Sequence, residues 1–164
     1  MNGETAPFTG VGESVGAETW VEKGVLRNLA YSRFWAGRQN VAPRPGMSNF
    51  IMSGGEASLD ELIASVSRGV LLTRFWYIRP LNPRMLVQTG LTRDGTFLIE
   101  NGKISRPVTN FRFNQSLADL LKNVEMLGRP TRVCASEPST VGVPMIVPAL
   151  KVKAFNLSSV SDAI

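Results

Sequence analysis

The chain has 164 residues, one cysteine and no histidine, and its 18 Lys and Arg against 13 Asp and Glu leave a net charge of +5. One thiol cannot form an internal disulfide, and without imidazole the chain cannot build a Ser-His-Asp or Cys-His catalytic pair or a histidine-rich zinc site. The length suits one domain, and with no apolar run near ~20 residues and no basic, apolar leader we expect a cytoplasmic protein without membrane contact.

Residues 1–19 are rich in Gly, Thr, Ser and Glu without any period, which predicts a flexible lead-in before a folded domain at 20–164. After the lead-in, the pattern predicts a short hairpin that turns at Glu22 to Gly24. The next segment, Ser32 to Gln39, predicts one or two helical turns.

A strand is predicted at Ser48 to Met52, followed by a helix that begins at Ser58. Ser58 and Glu61 have the spacing of a capping box, in which each side chain satisfies a free amide at the helix start. Four apolar side chains recur at helical spacing on one face and predict a core-packing helix that ends near Gly69: Leu59, Leu62, Ile63 and Val66.

Strand patterns dominate from Gly69 onward. Both alternating faces of the stretch from Gly69 to Leu81 carry apolar side chains, which predicts a central strand covered on both sides. Arg74 on this strand then needs a carboxylate or carbonyl partner. The stretch from Thr89 to Phe113 predicts a three-stranded meander, because Asp94-Gly95 and Asn101-Gly102 are dipeptides suited to hairpin turns with positive φ.

A second helix is predicted over Gln115 to Met126, with Asn114 or Ser116 as its cap and Gly128 just past its end. The alternation around Leu150 to Ala154 predicts a last strand, which Pro148 confines to an edge or a strand start. The predicted fold is therefore α+β: a mostly antiparallel, twisted, barrel-like sheet with about two flanking helices.

Polar side chains concentrate at the bends of the predicted meander. Arg93, Asp94, Asn110 and Arg112 are candidate substrate-binding residues, because they could line a cleft in which an extended peptide pairs by strand addition. The alternative is that Asp94 only builds a turn and that the arginines only tie strands together. The residue pattern leaves both interpretations open.

Arginine interleaved with aromatic residues in RFWAGR and TRFWYIRP, together with the positive charge, raises nucleic-acid binding as another function class. The rings of TRFWYIRP fall on both strand faces among aliphatic residues, as core residues do. The basic residues are spread along the chain without a run, so nucleic acid is disfavoured as a partner.

Several separated blocks resemble the C-terminal half of the TldD/PmbA family, zinc metallopeptidases once described as modulators of DNA gyrase. The blocks are TGLTRDGTFLIENGK, PVTNFRFNQSLADLLKNVEMLG and VPALKVKAFNLSSV, supported upstream by EKGVLRNLAYSRFWAGR and SGGEASLDELIASVSRGVLLTRFW. They occur in the right order and cover the chain from about Val21 to Val160.

The resemblance implies that active members carry a HExxxH motif upstream, in which two histidines hold zinc and the glutamate is the general base. This chain has no histidine. It therefore looks like the C-terminal domain without its catalytic half, inactive alone and binding no zinc by itself.

The family's third zinc ligand is understood to be a cysteine, for which Cys134 is the candidate if the histidines come from a missing upstream segment. The alternative for Cys134 is a small buried hydrophobe on a strand. The family also pairs a metal-bearing subunit with a related subunit that lacks the motif. The expected partners are thus a peptide substrate and a TldD/PmbA-type subunit in a homo- or heterodimer, and the chain could itself be a non-catalytic partner.

Overall fold

The computed structural model describes residues 6–47, 49–134 and 144–162. The described residues form short helices and mostly antiparallel sheets, so the predicted α+β class is confirmed. The described residues divide into two compact units, one formed by residues 6–47, 49–50 and 144–145 and the other by residues 51–134 and 146–162. None of the described helices is both long and apolar enough to cross a membrane.

The first unit contains the predicted hairpin and helix. Strands β1 (Val21–Glu22) and β2 (Val25–Leu26) pair around Lys23 and Gly24, which both have positive φ. Helix α1 (Arg33–Gln39) begins at Ser32, whose hydroxyl accepts a hydrogen bond from the Trp35 N–H. Both predictions are confirmed. Upstream, residues 8 and 14 form an isolated bridge, and the flexible lead-in at 1–19 stays a prediction.

Strands outnumber helices in the remainder of the described chain. In chain order the elements are β3 (Phe50–Ile51), α2 (Leu59–Ala64), β4 (Arg68–Leu72), β5 (Phe75–Asn82), a 3-10 turn (Pro83–Met85), β6 (Val87–Thr92), β7 (Thr96–Glu100), β8 (Lys103–Pro107), β9 (Phe111–Ser116), α3 (Leu117–Lys122), β10 (Val124–Leu127), β11 (Thr131–Cys134), β12 (Pro144–Val147), β13 (Leu150–Val152) and β14 (Leu157–Val160). The strand predicted at Ser48 to Met52 is thus present as the shorter β3, and Ser48 itself lies outside the described residues.

The strands form separate open sheets. Two larger sheets have the strand orders β14-β9-β6-β5 and β4-β7-β8, and smaller ones have the orders β11-β12-β3, β10-β13 and β1-β2. Each order ends in edge strands, so the strands that the structure describes do not close into a barrel.

The predicted long strand from Gly69 to Leu81 is interrupted at Thr73 and Arg74. β4 pairs with β7, whereas β5 pairs with β6, so the two halves of the stretch lie in different sheets. Two hydrogen bonds continue across the interruption: the Thr73 N–H donates to the Gly95 carbonyl (3.0 Å), and the Arg93 N–H donates to the Arg74 carbonyl (3.1 Å). The pairs β4-β7 and β5-β6 therefore form one bent two-stranded ribbon.

This bend corrects the predicted meander. Asp94 (φ 56°) and Gly95 (φ 146°) do have positive φ, but β6 and β7 do not pair with each other. At the bend, the link between β6 and β7 is one residue longer than the link between β4 and β5 opposite it. Such an insertion bends a ribbon and increases its twist. The second predicted turn is confirmed, because Asn101 and Gly102 join the paired strands β7 and β8.

Three phenylalanine rings pack together beside the four-stranded sheet. The ring centroids of Phe75, Phe113 and Phe155 lie 5.2–5.6 Å apart. Gly90 on β6 lies against the Phe113 ring, so closely that a Cβ at residue 90 would come within 2.6 Å of Phe113 Cζ. The absence of a side chain at Gly90 is therefore required for this packing.

Helix α2 begins with the predicted capping box. The Ser58 hydroxyl accepts from the Glu61 N–H (3.2 Å), and the Glu61 carboxylate accepts from the Ser58 N–H (2.7 Å). Leu62 and Ile63 are buried, as the predicted apolar face requires, whereas Leu59 is half-exposed. The helix is shorter than predicted: it ends at Ser65, and β4 begins at Arg68.

Helix α3 begins after Ser116, one of the two predicted caps, but it ends at Asn123. The prediction that it extends to Met126 and is closed by Gly128 is wrong, because Val124–Leu127 form β10 and pair with β13. The Asn123 side chain favours this ending by donating to the Asp119 carbonyl (2.9 Å). The predicted last strand is present as β13, and β14 follows it.

We expect Gly90→Ala to lower the free energy of unfolding by about 1–3 kcal/mol, because the added methyl group overpacks the Phe113 ring. Chemical denaturation measures the change. Gly46→Ala is the matched control, because a Cβ at residue 46 meets no atom within 4 Å. Equal losses for the two variants would contradict the packing account.

The two Ser58 donors, first its backbone N–H and then its hydroxyl, lower the pKa of Glu61 below its ordinary value of 4.5. The unfolded state therefore binds more protons in the acid range. The stabilisation from Glu61 is complete above about pH 4.5 and is lost as the pH falls through the lowered pKa of the folded state. Melting temperatures measured from about pH 6 to about pH 3 should fall less for Glu61→Gln than for the parent.

Glu56→Gln is the control for this titration, because residue 56 lies outside helix α2. It should keep the acid-induced decrease of the parent chain. An identical pH profile for the parent and Glu61→Gln would show that the capping carboxylate does not link protonation to folding.

Candidate functional site

The bend between β6 and β7 brings Asp94 between two arginines. Asp94 Oδ2 accepts a hydrogen bond from Arg74 Nη1, and Asp94 Oδ1 lies 3.7 Å from Arg93 Nε. Asp94 is thus the carboxylate partner predicted for Arg74. Because these side chains are about one third to one half exposed, each ion pair contributes only about 0–1 kcal/mol to stability. The ion pairs serve mainly to orient the two guanidinium groups.

Trp76 lies beside both arginines. The guanidinium carbons of Arg74 and Arg93 are 4.7 Å and 5.3 Å from the centroid of a Trp76 ring, within the range of a cation–π contact. Trp76 on β5 pairs with Leu91 on β6. Arg93 follows directly after β6, two residues beyond Leu91, and its N–H still bonds the neighbouring strand segment at Arg74. The side chains of Leu91, Arg93 and Trp76 therefore share one face of the sheet.

Arg112 joins this face from β9. Leu91 on β6 pairs with Trp76 on one side and with Arg112 on the other. Arg112 is exposed. Within the described part of the chain the Arg112 guanidinium makes no ion pair or side-chain hydrogen bond. We call the surface formed by Trp76, Leu91, Arg93 and Arg112 the arginine face.

Asn110 belongs to a different environment. Its Oδ1 accepts from the Thr96 hydroxyl (2.9 Å) and the Thr92 hydroxyl (3.2 Å). The Thr92 hydroxyl also accepts from the Phe111 N–H (2.9 Å). Thr92 is 0% exposed and Thr96 is 3% exposed, so the Asn110 amide oxygen points into a buried network.

The structure thus pairs Arg93 with Asp94 and places Arg112 on the same sheet face as Arg93. It directs Asn110 into the network that holds the bend. The sequence prediction missed Thr92 and Thr96. Their signal is alternation: Gly90 and Thr92 are buried, whereas the neighbouring side chains Leu91 and Arg93 are not. A short polar residue at an inward position of a strand needs a hydrogen-bond partner.

The described residues do not fit a zinc ion. A zinc site needs three or four nitrogen, sulfur or oxygen ligands in one place. Nowhere among residues 6–47, 49–134 and 144–162 do three His, Cys, Asp or Glu side chains meet in this way. Cys134 ends β11 as an exposed free thiol, so the alternative prediction that it is a buried hydrophobe is wrong. The arginine face offers cationic and aromatic contacts for a ligand.

Comparison with known proteins places these observations in a family. The sequence profile described as the PmbA/TldA metallopeptidase C-terminal domain matches residues 2–159. A metalloprotease TldD homolog of Haemophilus influenzae is 29% identical over 119 residues, which are 67% of this chain and 24% of that protein. A metalloprotease of Methanothermobacter thermautotrophicus is 29% identical over 130 residues, covering 69% and 27%. The chain therefore spans about a quarter of the length of these relatives.

Solved structures have the same fold. A Bacteroides thetaiotaomicron protein named as a candidate modulator of DNA gyrase aligns with a TM-score of 0.71 at 25% identity, covering 92% of this chain and 32% of that one. TldE from Thermococcus kodakarensis aligns with a TM-score of 0.69 at 18% identity, covering 93% and 35%. The second likeness shows the fold alone.

Thr92→Val should lower the free energy of unfolding by about 1–3 kcal/mol, because it leaves the partly buried Phe111 N–H without its acceptor. Thermal or chemical unfolding measures this loss. Thr109→Val is the matched control, since residue 109 is exposed between β8 and β9. If Thr92→Val is as stable as the control, the hydroxyl network does not hold the bend.

Proposed function

Because the chain belongs to the PmbA/TldA metallopeptidase C-terminal domain family, we propose that it is the C-terminal domain of a TldD/PmbA-type metallopeptidase. In this role it supplies the sheet scaffold, a subunit interface and one wall of a peptide-binding cleft. The observation that carries the proposal is the family match, which extends over residues 2–159. A cytoplasmic location belongs to the proposal and is supported by the use of a single cysteine.

The arginine face is the proposed wall of the cleft. An extended peptide presents backbone carbonyl groups and, at its C-terminus or on acidic side chains, carboxylates. Arg112 has guanidinium donors that can bind a carboxylate in a bidentate manner, and Trp76 offers an apolar ring beside them. Arg93, oriented by Asp94, adds a second positive charge at the same face.

Peptide hydrolysis is proposed to come from outside this chain. The HExxxH motif implied for active family members requires histidine, and the sequence has none. Zinc is the cofactor proposed for the whole peptidase, with Cys134 as a ligand only if another segment provides the histidines. We assign neither a proton transfer nor a metal to the described residues.

A second candidate function is a free-standing, non-catalytic partner subunit of such a peptidase. The lack of histidine favours it as much as it favours a separated domain. The coding sequence upstream of Met1 distinguishes the two: an in-frame HExxxH segment supports the domain of a longer peptidase, and a stop codon directly upstream supports the partner subunit.

The purified chain, incubated with zinc and a mixed peptide library, should release no cleavage products by mass spectrometry. It should still bind an extended, unstructured acidic peptide in a fluorescence anisotropy titration. Arg112→Ala should weaken this binding about tenfold, because a charged hydrogen bond to the peptide carboxylate is lost.

Arg106→Ala is the matched control for binding, because Arg106 is exposed on β8 in the other large sheet. Zinc-dependent, chelator-sensitive cleavage by the chain alone would contradict the proposal. Tighter binding of a single-stranded DNA oligonucleotide with a steep salt dependence would instead support a nucleic-acid partner.

A further inference from the structure

An exposed apolar surface lies at the opposite end of the four-stranded sheet from the arginine face. Four side chains form it, and each is between 44% and 63% exposed: Met85, Leu86, Leu117 and Leu121. We call this surface the leucine end. Exposed apolar side chains that cluster, rather than occur singly, mark interaction sites.

Backbone contacts hold these residues together. The Leu117 N–H donates to the Leu86 carbonyl (3.0 Å), and the Ser116 hydroxyl donates to the Met85 carbonyl (3.1 Å). Leu121 lies one helical turn after Leu117 on α3, so the two side chains share a helix face. The 3-10 turn and the start of α3 are therefore held side by side, and both carry exposed apolar side chains.

Backbone strain adds independent evidence at this surface. Leu86 has φ 52°, a left-handed conformation that a leucine Cβ disfavours and that Gly or Asn adopts readily. The strain keeps an apolar side chain half in solvent, where it contributes little to the core. Strained residues that expose such a side chain are frequent at binding sites.

The neighbouring strand shows the same combination. Tyr77 on β5 has φ 54° and is 55% exposed, and the Arg79 guanidinium lies 4.3 Å from its ring centroid. Exposed aromatic and arginine side chains are the residue types that dominate binding energy at protein interfaces. The segment from Tyr77 to Leu86 thus holds two bulky side chains in solvent at a cost to its backbone.

The kind of occupant is limited by the edge of the sheet. β5 is an edge strand, but its pairing with β6 is interrupted by two register shifts, and Pro80 has no N–H to donate. Bulges and proline prevent another strand from adding at such an edge. The surface therefore suits an occupant that contributes apolar side chains, as an amphipathic helix does.

Charge further limits the occupant. Arg84 in the 3-10 turn and Lys122 on α3 are exposed beside the leucine end, and Asp119 is the acidic residue of α3. In a symmetric dimer each surface would face its own copy, so like charges would meet. The basic rim favours a different polypeptide that carries acidic residues.

We propose that the leucine end docks an amphipathic helix from a different polypeptide, with apolar side chains on one face and Asp or Glu at its flanks. The proposal deepens the proposed function, on which it rests, because it locates the subunit interface. Its test needs no peptidase activity and leaves the arginine face unchanged, so the two proposals can fail separately.

The probe is a fluorescent amphipathic peptide of about 18 residues, long enough to form a helix, with Glu at its flanks. Its twin has Lys in place of each Glu. In anisotropy titrations the chain should bind the acidic peptide about tenfold more tightly than the basic twin. Arg84→Glu combined with Lys122→Glu should reverse this preference, and Lys103→Glu combined with Arg106→Glu on β8 should leave the preference unchanged.

Leu86→Asn separates binding from folding. Asparagine accepts the left-handed conformation, so the variant should melt at a higher temperature while binding the acidic peptide about tenfold more weakly. Ile104→Asn is the control, because Ile104 is an exposed apolar residue on β8. It should keep the affinity of the parent chain.

Three kinds of result would overturn the proposal. The first is equal binding of the acidic peptide and its basic twin, or unchanged binding by Leu86→Asn. The second is a concentration-dependent dimer in sedimentation velocity that Leu86→Asn abolishes, since the occupant would then be a second copy. The third is binding to anionic phosphatidylserine vesicles without binding to either peptide, which would indicate a membrane surface.

Discussion

One buried hydroxyl, that of Thr92, holds the bend on which both large sheets depend. It accepts from the Phe111 N–H and lies 3.2 Å from Asn110 Oδ1, so β6, β9 and the loop before β9 are joined where the ribbon changes sheet. Because side chains alternate along a strand, turning Thr92 inward turns Leu91 and Arg93 outward. The arginine face is therefore a consequence of the buried network on the other side of the same strands.

Local chemistry made part of the fold predictable. The capping box at Ser58 and the turn at Asn101-Gly102 depend on residues close in sequence, and both are present. The bend at Thr73 and Arg74 is not predicted by the sequence, because strand-forming residues continue through it. It depends on a contact with a residue distant in sequence, the Gly95 carbonyl. The prediction of α3 is too long for the same reason. Val124–Leu127 continue the helical pattern of the sequence, but in the structure they pair with the distant strand β13.

The candidate site was predictable to a similar extent. Arg93 and Asp94 stand out as charged residues at a predicted bend, and Arg112 as a charged residue in a predicted strand. Strand register places Arg93 and Arg112 on one face, and Asp94 pairs with Arg93. The environment of Asn110 depends on Thr92 and Thr96, which lie on other elements. Sequence periodicity does not predict contacts between residues of different elements. The strain at Leu86 has no sequence signal at all, because leucine is not a residue expected at positive φ.

The proposed function depends most on contact between the arginine face and an extended peptide. A ¹H–¹⁵N NMR titration of the chain with an unstructured acidic peptide tests it most directly, because the Trp76 indole and Arg112 side-chain signals report from that face. We expect these signals to shift together and to saturate at one peptide per chain, while the signals of β8 stay in place. Saturable shifts confined to other elements, with Trp76 and Arg112 unmoved, would contradict it.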